Sequence, residues 1–356
     1  MSSVTIAELS PPRADEPRGP WPAVDRLIDR APRLEDLRRH GLQLLAGQRW
    51  RGLGRPIEPL LVHDEQLAAA VTLTVPLVLV GVRAAYDGPV VVMKGPEVAE
   101  LYPSPRLRPY GDIDLLVNDA EQAQRALLAA GFQPVGDPRL FEDIHHLRPL
   151  LAPGVAVAVE VHDRPKWPDG FVSPSSKELL ARAVPTKTAD GLLTLPRAEH
   201  ALLISAHSWA HVPLGRISHL LDADLLAAGC EAGELRALAQ RWGIERIWRA
   251  TSAAADALFR DGRSSRPVRS WARSLPAVRE RTVVERHLET WLAPFSAAEP
   301  PWAFRASMTA VAAAARPQPG EAWRDKLTRT GRALRSPTVR LSEHRRALHD
   351  RDRRAS

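Results

Sequence analysis

The chain has 356 residues, 44% hydrophobic and 26% charged, with a formal net charge of +7. Those proportions exclude a fibrous or low-complexity polypeptide and are ordinary for a soluble globular one, and the length points to two structural units. The one cysteine, Cys230, excludes an intrachain disulfide and Cys-rich zinc sites, and fits a reducing, cytoplasmic setting.

Residues 1–20 mix prolines and charges with few apolar residues, which predicts a disordered leader. No basic stretch followed by an apolar core occurs there, so the segment does not read as a signal peptide. Residues 21–87 are N-terminal helices. Val24, Leu27 and Ile28, then Leu34, Leu37, Leu42, Leu44 and Leu45, recur at helical spacing, and Gly52, Gly54 and Pro56 interrupt them. A further helix is expected from about Asp64 to Tyr86, kinked at Pro76. Its apolar run, Val71–Val82, is twelve residues long; it is too short to cross a bilayer and reads as a buried helix, so no membrane partner is expected.

Residues 88–196 change character, and an α/β core is expected there. Val90–Met93 is a short β-branched run typical of a buried strand, stopped by Lys94-Gly95. Ile113–Val117 is a second strand and Glu121–Ala130 a short helix ended by Gly131. Val155–His162 is a third strand, and His145–Leu151 is a candidate fourth that pairs with it across Pro153-Gly154. Thr186–Leu195 reads as a hairpin around Asp190-Gly191. Residues 197–320 form a helical C-terminal unit. Candidate helices there are 197–211, 215–229, 231–242 and 244–260, then a stretch from about 276 to 315 broken at Pro294 and Pro300-Pro301. Residues 321–356 carry eleven Lys/Arg against five Asp/Glu, a basic tail that leaves the rest of the chain near neutrality. No Phe, Tyr or Trp interleaves its arginines after Trp323, so nucleic-acid binding through the tail is the less favoured reading of it. The fold class is α+β: a small mixed sheet flanked by helices, with the helical unit as the other wall of a cleft.

The chemistry lies in the middle of the chain. In Asp112-Ile113-Asp114 the two acids are two apart, so on a strand both point to one face while Ile113 packs behind them. Converging carboxylates repel unless a cation lies between them, and magnesium prefers carboxylate and phosphate oxygens. Glu160, between Val159 and Val161, repeats the pattern. If its strand neighbours that of Asp112, three carboxylates can hold two metal ions.

Taken together, Met93-Lys94-Gly95, Leu101-Tyr102-Pro103, Arg108, Gly111-Asp112-Ile113-Asp114-Leu115-Leu116-Val117 and Glu160-Val161-His162 resemble the uncharacterised nucleotidyltransferase family of the DNA polymerase β-like superfamily. The likeness is most specific over residues 88–164. It implies Asp112 and Asp114 as paired metal ligands, Glu160 as the third, and Mg2+ as cofactor, two ions in number. It implies Lys94 and Gly95 as the turn that approaches a nucleoside triphosphate, with Arg108 as a phosphate ligand or a clamp on Asp112 or Asp114. His146 and His162 would touch substrate or orient a carboxylate, and Asp222 would tie its helix to the core. One departure is Pro96, where the superfamily has Gly-Ser or Gly-Gly; it removes one N–H and one hydroxyl from the turn.

The activity implied is magnesium-dependent transfer of a nucleoside monophosphate from a triphosphate to an acceptor hydroxyl or phosphate, with release of pyrophosphate. The acceptor class is open: small molecule, protein or RNA. Alternatives are a catalytically inactive binding or regulatory module of the same fold, or a nucleic-acid-binding protein acting through the tail. His207 and His211, spaced to share a helix face, lack the intervening glutamate of a metalloprotease and read as packing or pocket residues.

Overall fold

The computed structural model describes residues 19–141, 145–155, 157–260, 262–317 and 320–335. The expected leader, residues 1–18, strand position Ala156 and the tail from 336 onward lie outside the described residues.

Three short helices come first, α1 (Trp21–Arg30), α2 (Leu34–His40) and α3 (Gln43–Gly52). They are separate for local reasons. Pro32 holds Ala31 extended at the end of α1, and Gly41 adopts φ 71° to end α2. Helix α4 (Pro59–Ala85) then runs for 27 residues straight through Pro76.

The expectation that the apolar segment here is buried and too short to cross a bilayer needs correction. By length and composition α4 is long enough to cross a membrane, so its length gives no ground for setting a bilayer aside. Only one face is packed: Val71, Val75, Val78, Leu79 and Val82 are buried, whereas Leu67, Leu73, Leu77 and Val80 are exposed. A run of apolar residues without helical periodicity could not tell these faces apart.

The sheet is mixed and seven-stranded, in the order β3-β4-β5-β2-β1-β7-β6. Its strands are β1 (Val90–Val92), β2 (Asp112–Val117), β3 (Gln133–Pro134), β4 (Leu150–Leu151), β5 (Ala158–His162), β6 (Val184–Pro185) and β7 (Leu193–Thr194). Between them lie helices α5 (Pro96–Ala99), α6 (Ala120–Ala129) and α7 (Ser176–Arg182). Strand β2 runs antiparallel to β1 and parallel to β5. The expected strand His145–Leu151 shrinks to β4 plus a bridge from His146 to His162, because Pro149 interrupts the ladder with no N–H to give. The expected hairpin is present as β6 and β7.

The helical half comprises α8 (Arg197–His211), α9 (Ile217–Ala227), α10 (Ala232–Arg241), α11 (Glu245–Phe259), α12 (Arg266–Ser270), α13 (Val283–Ala297), α14 (Pro300–Ala315) and α15 (Trp323–Arg335). A capping box of Thr282 and Glu285 starts α13, which continues through Pro294 instead of breaking there. The break falls at Ala298-Glu299, and Pro300 opens α14, where its fixed φ suits a first turn.

Alternation along β1 and β2 divides the core in two. Val90, Val92, Ile113, Leu115 and Val117 face α4 and α6, joining Val78, Leu79 and Leu127. Val91, Met93 and Leu116 point the other way, into the large core shared with α8, α9 and α11. The even-numbered acids of β2 share that second face, so the sheet presents them toward the helical half.

Candidate active site

The backbone around Lys94 explains where its side chain goes. Met93 N–H donates to the Asp114 carbonyl at 2.9 Å, prolonging the pairing of β1 with β2 by one residue. Met93 is therefore level with Asp114, and Lys94 follows it out of the sheet. Gly95 then turns sharply at φ 77°, and a Cβ on it would lie 3.2 Å from the Asp112 carbonyl oxygen. Only glycine combines that φ with so close an approach to β2. Pro96 is the first residue of α5, a position whose N–H has no partner within the helix, so the turn folds without the missing donor.

The strand adjacency expected for Glu160 is present. In the parallel register of β2 and β5, Asp112 pairs with Ala158 and Asp114 with Glu160. The Asp114 side chain is buried, 2% exposed, while those of Asp112 and Glu160 are 39% and 21% exposed. Lys94 Nζ sits 2.7 Å from Asp114 Oδ2 and 3.7 Å from Asp112 Oδ2. Burial lowers the Lys94 pKa, against the pull of Asp112 and Glu160. One ammonium thus serves three carboxylates.

Two histidines complete this face. His162 Nε2 lies 3.2 Å from Asp114 Oδ1. Burial, then the neighbouring His146, pushes the His162 pKa down to about 3, so the ring is neutral and donates Nε2–H to the carboxylate. His146 gives its Nδ1–H to the Leu147 carbonyl at 2.7 Å, which turns Nε2 toward Glu160 Oε2 at 3.6 Å.

Among the described residues, ligand atoms of Asp114, Glu160 and His162 all lie within 4.8 Å of one another. Asp112 shares the face but stands outside that group, and His162 takes its place in it. Three carboxylates against one ammonium leave negative charge unbalanced, and the donor set is chiefly oxygen, so a hard divalent cation fits. Asp114 and Glu160, with His162 beside them, could hold it.

Arg108 is placed elsewhere than on Asp112, Asp114 or an open phosphate site. Its guanidinium grips Asp222 of α9 through Nη2–Oδ2 at 2.8 Å and Nε–Oδ1 at 3.1 Å, and Nη1 donates to the Gly95 carbonyl at 3.3 Å. Tyr102 donates its hydroxyl to the same Asp222 at 2.8 Å. Burial opposes the Arg108 charge, but Asp222 outweighs it and raises the pKa. Asp222 does tie its helix to the core, through Arg108 and Tyr102.

Sequence reasoning missed a row of basic side chains beside the carboxylates. From Lys94 Nζ it is 3.4 Å to His207 Nε2, then 3.0 Å to His211 Nε2, and from His211 Nδ1 2.9 Å to Lys166 Nζ. His207 and His211 lie one turn apart on α8, which their spacing gave; Lys166, in the loop after β5, carried no signal at all. Burial and the nearby lysines push His207 well below its ordinary pKa and His211 down to about 4.

Compared with known protein families, residues 66–260 match the one described as uncharacterised nucleotidyltransferase. The match takes in the carboxylates, the Gly95 turn, Asp222 and the histidines of α8. No curated protein and no solved structure matches the chain.

Proposed function

The chain belongs to the uncharacterised nucleotidyltransferase family, and from that premise we propose that it transfers a nucleoside monophosphate from a triphosphate to an acceptor oxygen. The observation that carries this reading is the register of β2 and β5, which sets Glu160 beside Asp114 with Asp112 on the same face. An acceptor hydroxyl or phosphate oxygen forms a bond to the α-phosphorus, the bond from that phosphorus to the β-bridging oxygen breaks, and pyrophosphate leaves. Asp112, Asp114 and Glu160 would hold Mg2+, which would supply neutralisation of triphosphate and pyrophosphate charge.

The chain's own groups do the remaining work. Glu160, partly exposed, takes the acceptor's proton. Asp114 is fixed from two sides by Lys94 and His162, so the carboxylate face is organised before substrate arrives. Gly95 lets the turn lie close to the triphosphate, and Arg108 positions that turn through its carbonyl instead of meeting phosphate. His146, with Nε2 beside Glu160, is placed to touch the substrate. The single cysteine supports a cytoplasmic setting for this chemistry.

Purified protein, Mg2+ and labelled triphosphates, with pyrophosphate or self-modification followed, test the reading. Wild type forms product and an Asp112→Ala/Asp114→Ala double variant does not; equal product from both would sink it.

One observation favours a second reading, an inactive binding module. Lys94 already places a cation 2.7 Å from Asp114, as a protein that had given up its metal would require. Divalent-cation titration by calorimetry separates the two. Absence of Mg2+ or Mn2+ binding at millimolar concentration would favour the module. The tail gives the nucleic-acid reading no comparable support: Arg329, on its described helix, is paired with Glu321 at 2.8 Å.

A further inference from the structure

We propose that the row Lys94, His207, His211 and Lys166 is the seat of the substrate's polyphosphate arm. This rests on the nucleotidyl-transfer reading only for the identity of the substrate; the anion site itself is argued from the row.

Both lysines are donors only, so each meets a ring edge that accepts. Lys166 Nζ lies against the edge of the His211 ring, 2.9 Å from Nδ1 and 3.1 Å from Nε2. His211 Nε2 stands 3.0 Å from His207 Nε2, and Lys94 Nζ reaches that same His207 atom from the other side at 3.4 Å. Burial keeps both imidazoles neutral, with an ammonium at each end of the pair. Charge sits at the two ends of a strip built from three separate elements.

The end at Lys166 has no direct ion pair, and Glu160 and Asp169 act on its charge only from a distance. Among the described residues no carboxylate lies within ion-pair distance of it, and its hydrogen bonds go to His211. Lys166 is half-buried, and burial followed by the charge of Lys94 lowers its pKa. An ammonium in that position gains most from an anion. His211 is exposed beside it, so an anion has access.

The other end is shared with the carboxylates, since Lys94 contacts both Asp114 and His207. A face that demands a divalent cation thus adjoins a strip that demands an anion. A polyphosphate carrying a divalent cation has the matching pair of charges side by side. A peptide carboxylate or an isolated phosphate would satisfy one ammonium but not both ends of the strip.

Calorimetry with inorganic tripolyphosphate in the presence of Mg2+, on the full chain, tests this without requiring turnover. Wild type should bind, and a Lys166→Gln/His211→Gln variant should bind at least about tenfold more weakly, as loss of charge-assisted hydrogen bonds implies. Its affinity for Mn2+ alone should not fall, because the carboxylates are kept and a nearby positive charge is removed. Lys166→Glu, a loop substitution, provides a second variant and should weaken tripolyphosphate further. Tripolyphosphate affinity that is unchanged in both variants, or no binding by wild type, overturns the proposal.

A parallel titration with a non-hydrolysable nucleoside triphosphate separates the two possible sources of the phosphate chain. Loss of tripolyphosphate affinity in the variants supports the row, and a matching loss for the nucleoside triphosphate assigns the phosphate chain to a nucleotide. If the row binds polyphosphate while the Asp112→Ala/Asp114→Ala variant forms as much product as wild type, the row stands and nucleotidyl transfer at these carboxylates falls.

Discussion

Two cations in one short stretch of chain meet carboxylates in opposite ways. Arg108 and Asp222 are both buried, joined by two oxygens and three nitrogen–oxygen contacts of 2.8 to 3.2 Å, and Tyr102 takes up more of the same carboxylate. That pair is closed: its geometry is complete and has no charge left for a ligand. Lys94 is a single point charge spread over Asp114, Asp112 and His207, with carboxylates in excess of ammonium and solvent within reach. The first arrangement holds the fold together. The second is incomplete within the protein, and incompleteness of that kind marks a place where something binds.

The sharpest test of the open site is Asp112→Asn. Its side chain is 39% exposed, so the melting temperature should shift by no more than about 2 °C. Product formation should fall about a thousandfold, as loss of several kcal/mol of charge stabilisation implies. An active variant would remove the distinction between the two sites.

The closed site answers to stability instead. Arg108→Met leaves the Asp222 carboxylate buried and uncompensated, which should cost about 3 to 5 kcal/mol in urea unfolding. An Arg108→Met/Asp222→Leu double variant should recover a large part of that loss. If the double variant is no more stable than the single one, the pair is not the closed unit described here.

Acid should weaken the fold through its fully buried histidines. His40 and His200, both buried, donate Nε2–H to the carbonyls of Arg279 and Met93, and burial pushes each pKa down to about 4 from an ordinary 6.5. Neutral in the fold and more basic when unfolded, they contribute stability that is fully present above about pH 6.5. It is lost as pH falls from 6.5 through about 4. Denaturant midpoints measured over that window should decline, and His40→Gln should flatten part of the decline. A midpoint that is flat between those values would contradict the burial of these rings.

The smallest effect is also the most discriminating. Lys94→Met removes the competing ammonium from the carboxylates, so Mn2+ should bind about tenfold more tightly while tripolyphosphate binds about tenfold more weakly. Opposite signs from one substitution would show Lys94 acting on both neighbours. Shifts of the same sign would mean that it only holds the local structure.

How much of this was legible in the sequence depends on distance along the chain. The carboxylate face was readable because alternation on a strand is local: Asp112, Ile113 and Asp114 declare their faces without help. The neighbourhood of β2 and β5 was an inference, since strand order is set by packing. The Arg108–Asp222 pair spans 114 positions, and nothing near Arg108 announces its partner. Lys166 was invisible for the same reason. Along α4 the failure was of another kind. The mostly apolar run Val71–Val82 satisfies a buried helix on both sides, yet the fold covers one side only. At Pro294 a local rule lost to context, because a well-capped helix packed by its neighbours continued through a residue that weakens it.

The grip of Arg108 joins the Gly95 carbonyl to α9, two segments that sequence keeps far apart. In terms of opening fluctuations, that single side chain makes the Gly95 turn and the middle of α9 one cooperative unit. Amides at Met93 and at Leu221 to Asp224 should then exchange with deuterium at a common, slow rate, and Arg108→Met should release both together, with the turn ceasing to be timed by the helix.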